Sequence, residues 1–427
     1  MPLDRPSSRP RFNATSLVVI LCVLAVACGD GGGVVRSSGS PESSHSRVFE
    51  GPVLVVGPGQ AYAKIGDAVA RAPEGATIIV RAGTYPEKVE LSQALTIEAE
   101  GDGPAVIDAE CERKNGIWIP VGADIVVRGL EIRNTTEAGV LIGLGPPDKP
   151  IPERITLEGL TITGFNCTDS DVPANAGIAA WHAGCCMTLR DNTITYRGEG
   201  DQRGRANGIW FKSNSEVPSG GGHTITGNTI RGGWDGIGGE TEGDEHGTFD
   251  RDTLIQGNRI SECLDDGIQV EGGNEDVRVV DNEVSGCASG IAFAPTLVGP
   301  LYIERNAIRD LEEGIYDNRS CFKLGYEGEG TIYLTENICD THGDGLLQSN
   351  AGTSPIVSRR NCIDVTGVTI GIGDIRDMDL QEDFLRTIST DRFAGWDGEN
   401  YATLRDFQRA TGQEEGGPDS AVCPLSP

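Results

Sequence analysis

Positive charge is scarce in this sequence: 35 Lys and Arg stand against 64 Asp and Glu, a formal net charge of −29 over 427 residues. A field of that sign repels nucleic acid and anionic lipid unless a metal intervenes, so a nucleic-acid binder is excluded as a reading. Aromatic residues make up only 5%, too few for a fold built on bulky packing. No segment sustains the 3.6-residue apolar period of a helical domain. No C-x-x-C pair and no Cys/His cluster has zinc-site spacing. The apolar run over residues 14–27 is too short to span a bilayer comfortably. What the sequence has in excess is glycine, 60 residues, about twice the usual share of roughly 7%.

The first segment reads as an address. Arg5, Arg9 and Arg11 form a positive region ahead of the apolar run, which ends Leu24-Ala25-Val26-Ala27-Cys28. Ala25-Val26-Ala27 suits a small-x-small export cleavage site. The same residues with Cys28 resemble a bacterial lipobox, with its leucine four places before the cysteine where three is usual. Residues 1–27 are therefore expected to be a signal peptide. Residues 28–52 are expected to hold the lipidated Cys28 and a flexible Gly/Ser linker. The expected location is the periplasm or outer cell surface, membrane-anchored through Cys28, with plain secretion as the alternative. Of twelve cysteines, Cys22 falls in the signal and Cys28 at its end. The other ten, in an oxidising compartment, read as possible disulfides of open connectivity. The adjacent Cys185 and Cys186 are not expected to pair with each other.

Internal repetition gives the architecture. Asn followed closely by an apolar residue recurs at Asn192, Asn228, Asn258, Asn282, Asn306, Asn337 and Asn361, the last five spaced by 24, 24, 31 and 24 residues. A second beat, Gly followed by Ile, Val or Leu, runs from Gly116 to Gly371 with shortest intervals of 23 and 24. Each unit holds two or three short alternating strands between Gly, Asn or Asp. One unit cannot bury its apolar face alone, so units must stack. The expected fold is all-β: a right-handed parallel β-helix solenoid over residues 53–373, with an N-terminal capping helix and a C-terminal cap over 374–427. Asn at a constant phase is expected to ladder its amides along the stacked bends.

Residues 53–109 resemble the opening of pectin-lyase-like β-helix proteins. Ile65, Ala68, Val69 and Ala72 fall on one face of a short capping helix, and Ala82-Gly83-Thr84-Tyr85 matches the turn into the first rung. Residues 401–413 are similar to the closing segment of many bacterial right-handed β-helix proteins. The resemblance covers roughly residues 53–415 and implies the fold. It leaves function open, because the fold hosts lyases, hydrolases, epimerases and non-catalytic surface proteins.

Aligning rungs on the Gly beat shows what each outer column carries. The second place after Gly reads Ala179, Trp210, Gly238, Gln269, Ala292, Tyr316 and Leu347; the fourth reads Trp181, Lys212, Glu240, Glu271, Ala294, Asn318 and Ser349. Aromatic planes beside carboxylates suit sugar rings. Trp181, Trp210, Gln269, Tyr316 and Arg278 are the candidate substrate contacts. Before the glycines runs a column of Asn207, Asp235, Asp266, Ser289, Glu313 and Asp344, with Asp265 beside Asp266. Asp before Gly is often only a turn former, and Glu313 and Asp344 are read that way. Stacked like charges ask for a cation, and carboxylate oxygens favour Ca²⁺. Leu264-Asp265-Asp266-Gly267-Ile268 resembles the calcium motif of one family of β-helix pectate lyases, and Asp235-Gly236 matches that family's other aspartate. The resemblance implies Asp235, Asp265 and Asp266 as metal ligands. This chain has Gln269 where the motif has a further aspartate, and neither Arg305 nor Lys323, one rung beyond it, matches the family's base.

Three readings follow. The first is a carbohydrate-active enzyme. In it Glu240 and Glu271, about 5 Å apart, form a retaining glycosidase pair, or Ca²⁺ acidifies a uronate proton with Lys212 as base. The second is a non-catalytic glycan-binding surface lipoprotein, the third a structural rod. His246, in the acidic loop 242–252, reads as surface, and Arg278 as a salt bridge or a grip on an anionic sugar. The expected partners are polysaccharide and, through Cys28, a membrane; a monomer is expected.

Overall fold

Triplets such as Thr224-Ile225-Thr226 and Thr229-Ile230-Arg231 put one β-branched residue inward between two outward ones, with Ile225 and Ile230 buried. Such short strands gain stability only by pairing with copies of themselves above and below. The computed structural model describes residues 51–170, 174–196, 206–214, 220–242, 248–293, 295–314, 319–417 and 423, with backbone alone at 213–214 and 240–242.

The described strands form three sheets of 13, 13 and 12 strands. Sheet A runs from Val53–Val56 to Met378–Gln381, sheet B from Gly83–Tyr85 to Phe384–Thr387, and sheet C from Val89–Glu90 to Ala394–Trp396 with Glu399–Tyr401 added. Neighbours within each sheet are almost always three strands apart along the chain, so the chain visits the sheets in turn, one rung per circuit. Pairing is parallel except at Glu399–Tyr401. Like residues stack in register: Ile194, Ile230, Ile260, Val284 and Ile308 follow one another through sheet B. Each is at most 2% exposed, and each such burial is worth about 1.5–3 kcal/mol. The fold is a parallel β-helix.

The asparagines form the expected ladder. Asn228 Oδ1 accepts from Asn192 N (3.0 Å) and Nδ2 (2.9 Å), while Asn228 Nδ2 donates to the Leu189 carbonyl (2.9 Å). The same three bonds recur at Asn258, Asn282, Asn306 and Asn337. Asn361 ends the series by donating from N (2.6 Å) and Nδ2 (3.0 Å) to Asp383 Oδ1. Asp383 N in turn donates to Glu414 Oε2 (3.0 Å), and Glu414 is fully buried.

Helix α1 (Ile65–Val69) closes the N-terminal end with Ile65 and Ala68 buried, and the Glu87 carboxylate accepts from Ile65 N and Gly66 N at 2.8 and 2.9 Å. At the other end the sheets run past residue 373, the expected boundary, and complete a further rung at Ala394–Trp396. Helix α2 (Leu404–Thr411) then closes the stack, its buried Phe407 edge-on to Trp396 and Tyr401 at 5.6 and 5.7 Å.

Disulfides join Cys111 to Cys167, Cys185 to Cys186, Cys321 to Cys339 and Cys362 to Cys423. The adjacent pair corrects the expectation that Cys185 and Cys186 stay apart. Cys186 takes a left-handed backbone (φ 69°) at a tight corner, which brings neighbouring sulfurs together. Cys263 and Cys287 are free and buried. Four disulfides mark a protein that folds outside the reducing cytosol. Among the described residues no helix is long and apolar enough to cross a membrane. Cys28 lies outside the described residues.

Candidate functional site

Register along sheet C decides which side chains share its outer face. Leu141, Ala179, Trp210 and Gly238 are successive partners, and the Ile237–Ile268 pairing puts Gln269 next. Ala292 and then Lys323 follow. The place expected for Tyr316 thus belongs to Lys323, and Tyr316 lies outside the described residues. The expected beat took Gly314 for the start of that strand, whereas the strand is Ser320–Leu324. Asn306 to Asn337 to Asn361 spans 31 and then 24 residues, and Gly290 to Cys321 to Gly345 spans the same two intervals. That agreement was the available signal for Lys323; a cysteine in the glycine's place concealed it.

Asp235, Asp265 and Asp266 are 2%, 8% and 1% exposed, and one oxygen from each lies within 4.8 Å of the others. Backbone ties place two of them: Asn207 Oδ1 accepts from Asp235 N, and Asp235 Oδ1 from Asp266 N, both at 3.0 Å. The turn-forming role is therefore present, and a cluster is present on top of it. Lys323 Nζ reaches across Ala292 to Asp265 Oδ1 (3.1 Å) and Asp266 Oδ1 (2.6 Å). The small side chain at Ala292 leaves room for that reach.

Burial, more than any neighbour, pushes Asp235 well up, and the charges of Asp266 and Asp265 add to it. Burial likewise raises Asp266 to about 6, against the pull of the Lys323 ammonium. Burial works against the Lys323 charge too, but Asp266 and Asp265 outweigh it and hold the ammonium above its ordinary range. Three hard oxygen donors at this spacing fit a divalent cation such as Ca²⁺, whose charge would favour the ionised form of all three.

The indoles differ from one another. Trp181 is 8% exposed, packed with Leu141 and Ala179 in an apolar cluster outside the solenoid core, and is a floor more than an open platform. Lys212 Nζ lies 4.9 Å over its ring. Trp210 is half-buried and flat against Gly238, where a Cβ would come within 2.3 Å of the ring and 3.4 Å of Asp235 Cβ. Gly238 thus lets Trp210 lie beside the carboxylate cluster.

Gln269 Nε2 donates to Glu271 Oε1 at 2.8 Å. Glu240 stands opposite Lys212 in the sheet, and its side chain lies outside the described residues, as does His246. Arg278 belongs to sheet A, away from this face. It pairs with Asp276 (2.9 Å) and lies 4.1 Å over Tyr302. Asp344 Oδ1 accepts from Val368 N, one rung on. Trp118, which the Gly beat also places in the second column after Gly116, joins this face.

A family model described as a right handed beta helix region matches residues 155–363. A search of curated proteins found no match. Among solved structures the chain is similar to an alginate lyase from Paenibacillus sp. str. FPU-7, at 15% identity over 68% of this chain and 93% of that one, TM-score 0.48. It is also similar to the pectate lyase Pel9A, at 14% identity over 89% and 90%, TM-score 0.42. A polygalacturonase from Erwinia carotovora ssp. carotovora matches at 12% identity over 86% and 98%, TM-score 0.44. At these identities and scores the likenesses carry no argument about chemistry.

Proposed function

We propose that the protein is an exported polysaccharide lyase that acts on a uronic-acid glycan lying along the outer face of sheet C. The supporting observation is the meeting, on one face, of three buried carboxylates, the Lys323 ammonium and the Trp210 indole. Asp235, Asp265 and Asp266 would hold a divalent cation, Ca²⁺ by their donor type. When bound, it would supply the positive charge that acidifies the proton α to a uronate carboxylate.

The chain's own residues do the rest. Trp210 offers an apolar plane to a sugar ring, and Gln269 offers an amide to its hydroxyls. Lys323, held protonated by Asp266 and Asp265, serves as a fixed positive charge and not as a proton acceptor. Lys212 is the amine assigned to take the α-proton. Loss of that proton and scission of the C–O bond at the neighbouring carbon leave an unsaturated sugar on one fragment, and the departing oxygen takes a proton from solvent to become a hydroxyl on the other.

The internal pairing of Lys323 favours a second reading, a non-catalytic glycan-binding protein whose acidic cluster is already balanced. Products from a panel of uronate and neutral polysaccharides, with Ca²⁺ and with chelator, separate the two. Fragments lighter by one water that vanish with chelator support the lyase. Saturated fragments would turn attention to Glu240 and Glu271, and no fragments with retention of a glycan would favour the binder. We also propose attachment to a membrane through lipid on Cys28; a Cys28→Ser chain that still partitions into detergent would overturn it.

A further inference from the structure

Sheet C carries a second indole with an ammonium nearer the N-terminal cap. Trp118 Nε1 donates to the Gly143 carbonyl at 3.0 Å, which fixes the plane of the ring, and Lys88 Nζ lies 4.5 Å over it. Lys88 is exposed, and among the described residues it makes no ion pair. Trp118 and Trp210 are three strands apart in sheet C, which at strand spacing is about 14 Å.

Between them lies the apolar cluster outside the core, in which Ala138, Leu141, Ala179 and Trp181 are buried while Trp118 and Trp210 pack at its margins partly exposed. The outer face of a solenoid ordinarily carries polar side chains, because its core lies on the other side. Here an apolar floor is bordered by two indoles, with the Lys88 ammonium over the outer one, in a chain of net charge −29. Glu90, the partner of Trp118 on the strand before, is exposed and negative.

We propose that the strip from Trp118 and Lys88 to Trp210 is a remote subsite for an acidic glycan, which holds several sugar units parallel to the solenoid axis and leads the chain to the carboxylate cluster. The proposal rests on the preceding reading that the ligand of this face is a glycan. Indole planes take the apolar faces of the sugars, and Lys88 pairs with a uronate carboxylate at the far end. Glu90 repels a polyanion and closes the strip there.

The test is affinity electrophoresis through gels containing polygalacturonate, alginate or methyl-esterified polygalacturonate, with wild type, Trp118→Ala, Lys88→Met and Trp210→Ala. Retardation of the wild type by a charged polymer should weaken about tenfold in Trp118→Ala, a change of roughly 1.4 kcal/mol. Lys88→Met should weaken it for the charged polymers and leave the esterified one unaffected. Lys88→Met is a surface change, so it keeps the test decisive if Trp118→Ala folds poorly. Retardation lost in Trp210→Ala but retained in Trp118→Ala and Lys88→Met would overturn the remote subsite and spare the glycan reading. A wild type that no polymer retards would overturn both.

Discussion

Lys323 Nζ stands 2.6 Å from Asp266 Oδ1 although two rungs separate them, with Ala292 bridged between. The contact is nearly dry: the Lys323 side chain is 15% exposed and that of Asp266 1%. It ties the candidate site to a strand that the glycine beat had passed over.

Removing that ammonium should be costly. Lys323→Met leaves Asp265 and Asp266 facing each other beside Asp235 without a counter-charge, and breaking one partner of a buried pair costs about 3–5 kcal/mol. Urea denaturation at pH 8 should show that loss. At pH 5 it should be smaller, because Asp266, already raised to about 6, takes up a proton and sheds its charge. An equal loss at both pH values would count against the pair as the cause.

Glu414 gives a pH dependence of definite sign. Burial first, and the Asp383 charge second, raise it to about 10 from an ordinary value of 4.5. Between those values the folded chain holds a proton that the unfolded chain has released. Stability from this group therefore falls as pH rises through that window, by at most about 1.4 kcal/mol per unit. Glu414→Gln keeps a neutral partner for Asp383 and should flatten the decline between pH 6 and 9 in denaturant titrations. An unchanged slope would assign the decline to other groups.

Gly238 is predicted to be intolerant of even a methyl group. Gly238→Ala sets a Cβ 2.3 Å from the Trp210 ring, so the indole must lift from the sheet. Tryptophan emission should shift and glycan retention should fall. Trp210→Ala combined with Gly238→Ala should add nothing further to the loss of retention.

Asn282→Ala should cut the polar ladder at one rung. Asn258 N and Nδ2 lose their acceptor, and the Ile255 carbonyl loses a donor. Each orphaned buried group costs about 1–3 kcal/mol, so the variant should unfold at markedly lower urea than Asp281→Asn, a change on the surface beside it.

The fold was open to reading because asparagine at intervals of 24 and 31 marks a corner that a stacked amide satisfies, and one residue type reports it on successive rungs from Asn192 to Asn361. The candidate site was open in part. Asp235, Asp265 and Asp266 announce themselves by preceding glycine on neighbouring rungs, and the structure gathers them. Lys323 did not, because its strand begins Ser320-Cys321 where others have glycine, and because a partner two rungs away is not adjacent in any alignment. Trp181 shows the opposite limit. Alternation places it on the outer face, but alternation says nothing of the loops that cover that face, and it is buried there. The pairing of Cys185 with Cys186 depended on a local left-handed turn that residue identity does not announce.

The asparagine ladder has a further consequence for how such a chain changes length. From Asn228 to Asn361 each side-chain oxygen accepts from the asparagine one rung back, whichever rung that is, so the ladder does not count rungs. Excising residues 283–306 would set Asn282 onto Asn337 and restore every bond of the thread. The same excision would bring Lys323 beside Gln269, with no alanine left to bridge. The scaffold is free to lengthen or shorten by whole turns, whereas the ammonium at its side is set for one number of turns only.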